Sequence, residues 1–261
     1  MTASAAASLR LANKVAIVTG AAAGLGRAVA ARFAREGAHV IAADKDASRG
    51  ESLAADLRHS GLSATFIPAD ISDEASIRTL IAAAISHHAR IDILYNNAGI
   101  LPADQDAPVH ELSPDAWDRI LRVNLRGPFL CAKFAIPHML HQGSGVIINV
   151  CSRTGLEGCA PRLTAYSSSK AALIGLTRAM AIAYARSAIR VNAIIPGTMD
   201  TPMNRYLFSS EANRERYRSA VPIGRLGRPE DIEGLAVYLA SDESAYATGA
   251  LYMCDGGTTA V

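Results

Sequence analysis

The stretch AYSSSKAA, residues 165–172, sets a tyrosine four residues ahead of a lysine with only serines between them. Four residues is about one helical turn, so Tyr166 and Lys170 share a face if the segment is helical. A free phenol titrates at about 10 and is a poor base at neutral pH. A neighbouring ammonium stabilises the phenolate and draws that pKa down towards the range of acid–base catalysis. The pair reads as a proton-transferring group with its tuning partner. Ser152 closes an apolar run in INVCSRTG, where its hydroxyl can hydrogen-bond a substrate oxygen. Asn124 interrupts RILRVNLRGPF. There its amide can hold a water against the lysine, or distort a helix that Gly127 and Pro128 already weaken.

A second group of residues suits a nucleotide. TGAAAGLG, Thr19 to Gly26, follows an apolar run and opens a helical pattern. Glycines at Gly20, Gly24 and Gly26 let the backbone turn tightly and approach a pyrophosphate, and the free amides of a helix start supply donors. The spacing is G-x-x-x-G-x-G rather than the common dinucleotide fingerprint. Eighteen residues after Gly26, Asp44 ends the next strand-like run, where a carboxylate can accept hydrogen bonds from both ribose hydroxyls. It would also repel a 2′-phosphate. Two unit charges ~4 Å apart at an effective dielectric of about 20 repel by about 4 kcal/mol, on the order of a thousandfold in affinity. No basic residue stands inside the glycine turn, although Lys45 is adjacent, so NAD is expected over NADP. Asp44 also reads as a helix-capping turn residue, because Asp46 and Ser48 follow. Asp70 can pair with an adenine amino group, and NNAG, ending at Asn97, Ala98 and Gly99, can pass beneath a nucleotide. Each could equally be a turn residue.

These residues need elements that bring them together. Strands are expected over 14–19, 38–44, 64–70, 91–97, 145–152, 189–196 and 250–255. Helices are expected near 25–36, 47–60, 73–88, 114–141, 164–186 and 230–240. Continuous apolar strands alternating with helices predict a seven-stranded parallel sheet covered on both faces, a single doubly wound α/β domain. Its ligand crevice lies at the carboxyl ends of the strands. One long irregular span, 197–227, carries Met199, Met203, Tyr206, Leu207 and Phe208 before the charged SSEANRERYRS, and is expected to form a lid.

Bulk properties exclude several classes. The 261 residues are half apolar, with a formal net charge of +2, which offers no electrostatic footprint for nucleic acid or an acidic membrane. Cys131, Cys151, Cys159 and Cys254 lack metal-ligand spacing, so reduced thiols in a cytoplasmic protein and no metal site are expected. Residues 1–10 read as a flexible tail without a signal-peptide core, and no apolar run of about 18 residues predicts a membrane span. His138 and His141 read as surface residues at a helix end.

Taken in order, Thr19–Gly26, Asn96–Gly99, Asn124, Ser152 and Tyr166–Lys170 resemble the short-chain dehydrogenase/reductase family, from about Leu11 to Gly257. IRVNAIIPGTMDTPM, RLGRPEDI and TGALYMCDGG belong to the same likeness. The resemblance implies a Rossmann-like fold, Tyr166 as catalytic acid/base, and Lys170 as its partner and a ribose ligand. It implies Ser152 as the group that orients the substrate carbonyl and Asn124 as holder of a relay water. It also implies cofactor contacts at Leu25, Ile71 and from Pro196 through Gly197 and Met199 to Thr201, and a homotetramer. Ser152 lies fourteen residues before Tyr166, one more than in many relatives, and RTGLEGCAPRLTA is expected to absorb the difference. The expected reaction is hydride exchange between NAD and a largely apolar secondary alcohol or ketone. An epimerase or dehydratase, or a nucleotide sensor that kept the fold without the chemistry, are the other readings.

Overall fold

Seven apolar runs pair side by side in a computed structural model that describes residues 9–157 and 161–261. Most of the expected tail and Cys159 lie outside the described residues. Along the chain come β1 (Val15–Thr19), α1 (Gly24–Arg35), β2 (His39–Asp44), α2 (Ala47–His59), β3 (Ala64–Pro68), α3 (Glu74–His88) and β4 (Ile93–Asn96). Then follow α4 (Pro114–Leu121), α5 (Gly127–Gln142), β5 (Gly145–Val150), α6 (Thr154–Glu157), α7 (Thr164–Tyr184) and β6 (Ile189–Pro196). The chain closes with α8 (Glu211–Ser219), α9 (Glu230–Ala240) and β7 (Leu251–Cys254).

The strand order is β3-β2-β1-β4-β5-β6-β7, every neighbouring pair parallel. Successive residues of β1 point to opposite faces, and both faces are buried. Ala16 and Val18 join Phe33, Tyr95 and Val237 in one core, while Val15 and Ile17 join Leu80, Leu130 and Met180 in the other. A strand buried on both sides must be apolar at every position, which is why these segments read as runs rather than alternations. Helix starts are marked by short polar caps. Asp46 accepts from Arg49 N at 3.0 Å, Asp73 from Ser76 N at 2.9 Å and Ser113 from Ala116 N at 3.2 Å. The capping role weighed for Asp44 thus belongs to Asp46.

Three segments differ from the sequence reading. The helix expected over 114–141 is interrupted by a π turn at Arg122–Arg126, centred on Asn124. Pro128 has no N–H with which to close an ordinary turn on the Asn124 carbonyl, so an extra residue is accommodated there. The span 197–227 is not irregular. It holds a 3₁₀ segment, Pro202–Phe208, and α8, above a neck where Met199 pairs with Gly227 and Asp200 N donates to Gly227 O at 2.7 Å. Arg10, assigned to the tail, donates from Nε to Glu243 at 2.9 Å. Among the described residues, no helix is long and apolar enough to cross a membrane.

At the amino end of β2, the His39 ring lies between the Ser63 and Thr65 hydroxyls, with the His88 ring centroid 3.9 Å away. Burial, followed by the charges His88 and His87 would carry, pushes His39 down to about 4. The unfolded chain therefore binds the proton more readily, so His39 costs stability as pH falls from about 6.5 towards 4. Urea unfolding across that window is expected to show stability falling with acidity, with a shallower slope in His39→Gln. Equal slopes in the two proteins would remove His39 as the cause.

Candidate active site

The carboxyl ends of β1, β2, β4, β5 and β6 surround one cavity of about 530 Å³. At one end the β1–α1 turn forms its floor. Gly20 has φ +68°, and a Cβ there would lie 2.8 Å from Ala98 Cα. A Cβ on Gly26 would run into the Gly20 carbonyl, so α1 can start this close to the sheet only without side chains. Asn97 locks the turn, donating from Nδ2 to Thr19 O at 3.0 Å and Gly20 O at 3.2 Å. Asp44 is fixed beside it, its carboxylate accepting from Ala22 N at 2.9 Å and Asp46 N at 3.0 Å. Asp70 accepts from Ser72 N at 2.8 Å and lies at the same rim. The α1 amino terminus, three glycines and a rim carboxylate suit a pyrophosphate and an adenosine ribose.

At the other end Tyr166 and Lys170, both almost fully buried on α7, reach the same cavity as Ser152. Lys170 Nζ donates to Val150 O at 2.8 Å and lies 5.8 Å from the centre of the Tyr166 ring. Burial pushes the Tyr166 phenol up to about 12 against the pull of the Ser152 hydroxyl, with Tyr206 and Cys151 adding to the rise. Burial likewise lowers Lys170. Burial thus acts against the expected downward tuning of Tyr166: desolvation favours the neutral form of each group. Asn124 stands at the helix distortion weighed for it. Its amide is spent on the backbone, accepting from Ile100 N at 2.8 Å and donating to Ile100 O at 2.9 Å, with a second donation to Ser169 Oγ at 3.2 Å. Both amide hydrogens are used, so the side chain anchors the cavity wall at Ile100.

A family model described as enoyl-(acyl carrier protein) reductase matches residues 20–259. The chain belongs to the short-chain dehydrogenase/reductase family. It is 42% identical over 250 residues to cis-4-hydroxycyclohexanecarboxylate dehydrogenase of Sinomonas cyclohexanicum, covering 96% of this chain and 98% of that one. It is 40% identical over 252 residues to 4-formylbenzenesulfonate dehydrogenase of Comamonas testosteroni, covering 95% and 99%. The fold matches a gluconate 5-dehydrogenase from Burkholderia cenocepacia, solved with NADP and tartrate, with a TM-score of 0.91, 33% identity and coverage of 97% and 98%. As a short-chain dehydrogenase/reductase the protein is an oxidoreductase acting on CH–OH groups.

Of the residues singled out in the sequence, Gly20, Gly24, Leu25, Asp44, Asp70, Ile71, Asn97, Ala98 and Gly99 line the cavity. So do Ser152, Tyr166, Lys170, Pro196, Gly197, Met199 and Thr201. Gly26 and Asn124 stand just behind its wall. The residue between Ser152 and Tyr166 that exceeds the usual spacing falls in a segment containing α6, and both side chains still face one space. Met203, Tyr206 and Leu207 line it as expected, whereas Phe208 packs edge-on against Tyr217.

Sequence reasoning missed Asp106. This residue of the β4–α4 loop is 1% exposed, and its carboxylate accepts from Ala165 N at 3.0 Å and Tyr166 N at 2.9 Å. Leu163, the cap position of α7, supplies no side-chain acceptor, so Asp106 satisfies the helix start from about sixty residues away. Asp106→Ala leaves three buried amides, those of Ala107, Ala165 and Tyr166, unpaired and is expected to lower unfolding free energy by about 2 kcal/mol. Asp106→Asn, which keeps an acceptor, is expected to lose less. Chemical denaturation checks both, and an unchanged midpoint in the alanine variant would show that α7 does not depend on this cap.

Proposed function

We propose that the protein catalyses reversible hydride transfer between NAD and a secondary alcohol or ketone, with Tyr166 as the acid/base. The observation carrying this reading is the convergence of Ser152, Tyr166 and Lys170 on the cavity whose other end is the glycine turn. A nicotinamide bound there would accept hydride from the carbinol carbon or return it to the carbonyl. In oxidation Tyr166 takes the hydroxyl proton as phenolate, and the Ser152 hydroxyl donates a hydrogen bond to the same oxygen as negative charge develops. Lys170, held by Val150 O, keeps positive charge beneath the phenolate and holds the ribose. Asn124 fixes Ile100, and so the wall against which substrate rests. Pro196 to Thr201 holds the nicotinamide end, and the 197–227 excursion closes over it as a lid.

NAD is favoured over NADP because the Asp44 carboxylate is fixed in place by two backbone amides at the ribose rim. Of the nearby cations, Arg49 is drawn to Asp46 at 2.6 Å, leaving Lys45 to oppose the carboxylate. The substrates for which the relatives are named, a cyclic hydroxy acid and an aromatic aldehyde, support a ring-bearing alcohol or carbonyl compound.

Absorbance of reduced nicotinamide with a panel of secondary alcohols tests the reading. Wild type is expected to prefer NAD, and Asp44→Asn to move the NADP/NAD ratio of kcat/KM upward by about a hundredfold. Tyr166→Phe is expected to lower kcat by about a hundredfold or more with the fold intact by circular dichroism. The oxidation rate should rise with pH, because the raised phenol must ionise to accept the proton. A Tyr166→Phe variant with wild-type kcat would sink the assignment, and a wild-type preference for NADP would sink the cofactor half alone.

Reduced thiols at Cys131, Cys151 and Cys254 support a cytoplasmic location, checked by fractionation of the source cells. A groove between α4, α5 and α7, lined by Leu121, Leu125, Phe129 and Leu176 together with Asp118, Arg122 and Arg126, supports the homotetramer. Sedimentation equilibrium is expected to give about four chain masses, and a concentration-independent monomer would reject that assembly.

A further inference from the structure

The excursion over the cavity carries three arginines at alternate positions of α8, in NRERYRS. Arg214 is paired with Asp200, and Arg218 with Glu215 at 2.6 Å. Arg216 has no acidic partner among the described residues, and it alone of the three lines the cavity. Among the described residues, its guanidinium lies over the neighbouring Tyr217 ring, 5.8 Å from guanidinium carbon to ring centroid.

The charges around the cavity are divided by position. Its only acidic lining residues among those described, Asp44 and Asp70, stand at the ends of β2 and beyond β3, the nucleotide end. Around Tyr166 the lining has no carboxylate. Arg153 there is ion-paired with Glu157 at 3.0 Å and Lys170 is held by Val150 O, which leaves Arg216 as the guanidinium without an acidic partner among the described residues. Tyr206 lies near enough to Tyr166 to disfavour its ionisation, and Tyr217 stands in the same relation to Tyr206. Tyr206 and Tyr217 line the cavity together with Arg216, Met203 and Leu207.

We propose that Arg216 is the counter-ion for an acidic group on the substrate, so that the alcohol or ketone handled here is an organic anion whose carboxylate or sulfonate is remote from the reacting carbon. A guanidinium fork matches such a planar or trigonal oxyanion with two parallel hydrogen bonds. The apolar and aromatic walls fit the carbon framework between the two ends, and closure of α8 over them strengthens the pair by excluding water. The proposal deepens the dehydrogenase reading and rests on it for the identity of the reacting end.

The probes are cis-4-hydroxycyclohexanecarboxylate and its methyl ester, which differ in charge but present the same secondary hydroxyl. Wild type is expected to favour the acid in kcat/KM by about tenfold or more, the scale of one charge-assisted pair at a partly open site. Arg216→Met should collapse that ratio through KM, Arg216→Lys should restore part of it, and Arg218→Met, outside the cavity, should leave it unchanged. A binding arm separates the two readings: calorimetric titration of cyclohexanecarboxylate and cyclohexanecarboxamide into the protein saturated with NAD. Carboxylate binding that is lost in Arg216→Met, without turnover of any alcohol, supports the anion site and counts against the dehydrogenase reading. An acid/ester ratio that Arg216→Met does not move, or equal binding of acid and amide, overturns the anion site whatever the turnover.

Discussion

The crevice exists because two neighbouring strand ends are tied together by side chains rather than by the ladder. Thr19 Oγ1 donates to Tyr95 O and accepts from Asn97 N and Ala98 N, each at 3.1 Å, while Asn97 returns two bonds to the backbone of Thr19 and Gly20. This knot joins β1 to β4 at the point where the strand order reverses, with β2 and β3 on one side and β5 to β7 on the other. Connections leave in opposite directions there and open a space that a side chain at Gly20 or Gly26 would close. The floor of the cavity, the start of α1 and the position of Asp44 against Ala22 N all follow from it.

The reacting end depends on α7 being held as a rigid arm. Its polar contacts form a buried set: Asp106 on the first amides, Asn124 on Ser169, Lys170 on Val150 O, and Thr177 accepting from Asn149 Nδ2 at 2.8 Å. Asn149 in turn accepts from Asn96 at 2.9 Å, which links α7 across β5 to β4 and so to the nucleotide end. Buried polar groups cost free energy unless paired, and a nearly complete pairing fixes one arrangement against its neighbours. Burial has a second consequence. It raises the phenol and lowers the ammonium, so the site resists holding a phenolate until compensating charge or hydrogen bonds reach the substrate oxygen.

What the sequence disclosed follows from how local each signal is. Strands buried on both faces leave continuous apolar runs, and the glycine turn and the Tyr–Lys spacing are local patterns, so the sheet and most of the cavity lining were legible. Gly127–Pro128 foretold the interruption near Asn124, because the missing N–H is a property of the residue itself. The opposite held for α8. No residue of it is buried, so it carries no apolar periodicity to read, and a serine cap at Ser210 and ion pairs define it instead. Asp106 was invisible because its partners lie about sixty residues away, and an aspartate in a loop has no pattern that names a distant helix. The burial of Tyr166 was hidden for a related reason: spacing reveals a neighbour's charge but not the depth of burial that acts against it.

The division between the rigid arm and the excursion over it bears on how one fold serves different substrates. The neck at Met199–Gly227 is closed by backbone bonds, with Gly227 N donating to Thr198 O at 3.0 Å and Asp200 N to Gly227 O. Beyond it, the 3₁₀ segment and α8 bury no side chain completely and are held by ion pairs and aromatic edges. Residues there can change without disturbing Asp106, Asn124 or the Thr19–Asn97 knot, since none of those bonds reaches them. Proteins about 40% identical to this one carry differently named substrates, and a gluconate 5-dehydrogenase shares the backbone at a TM-score of 0.91. Under the proposed function, selectivity would rest on a weakly buried segment and proton transfer on a deeply buried one, and the two could vary separately because they share a cavity but few bonds.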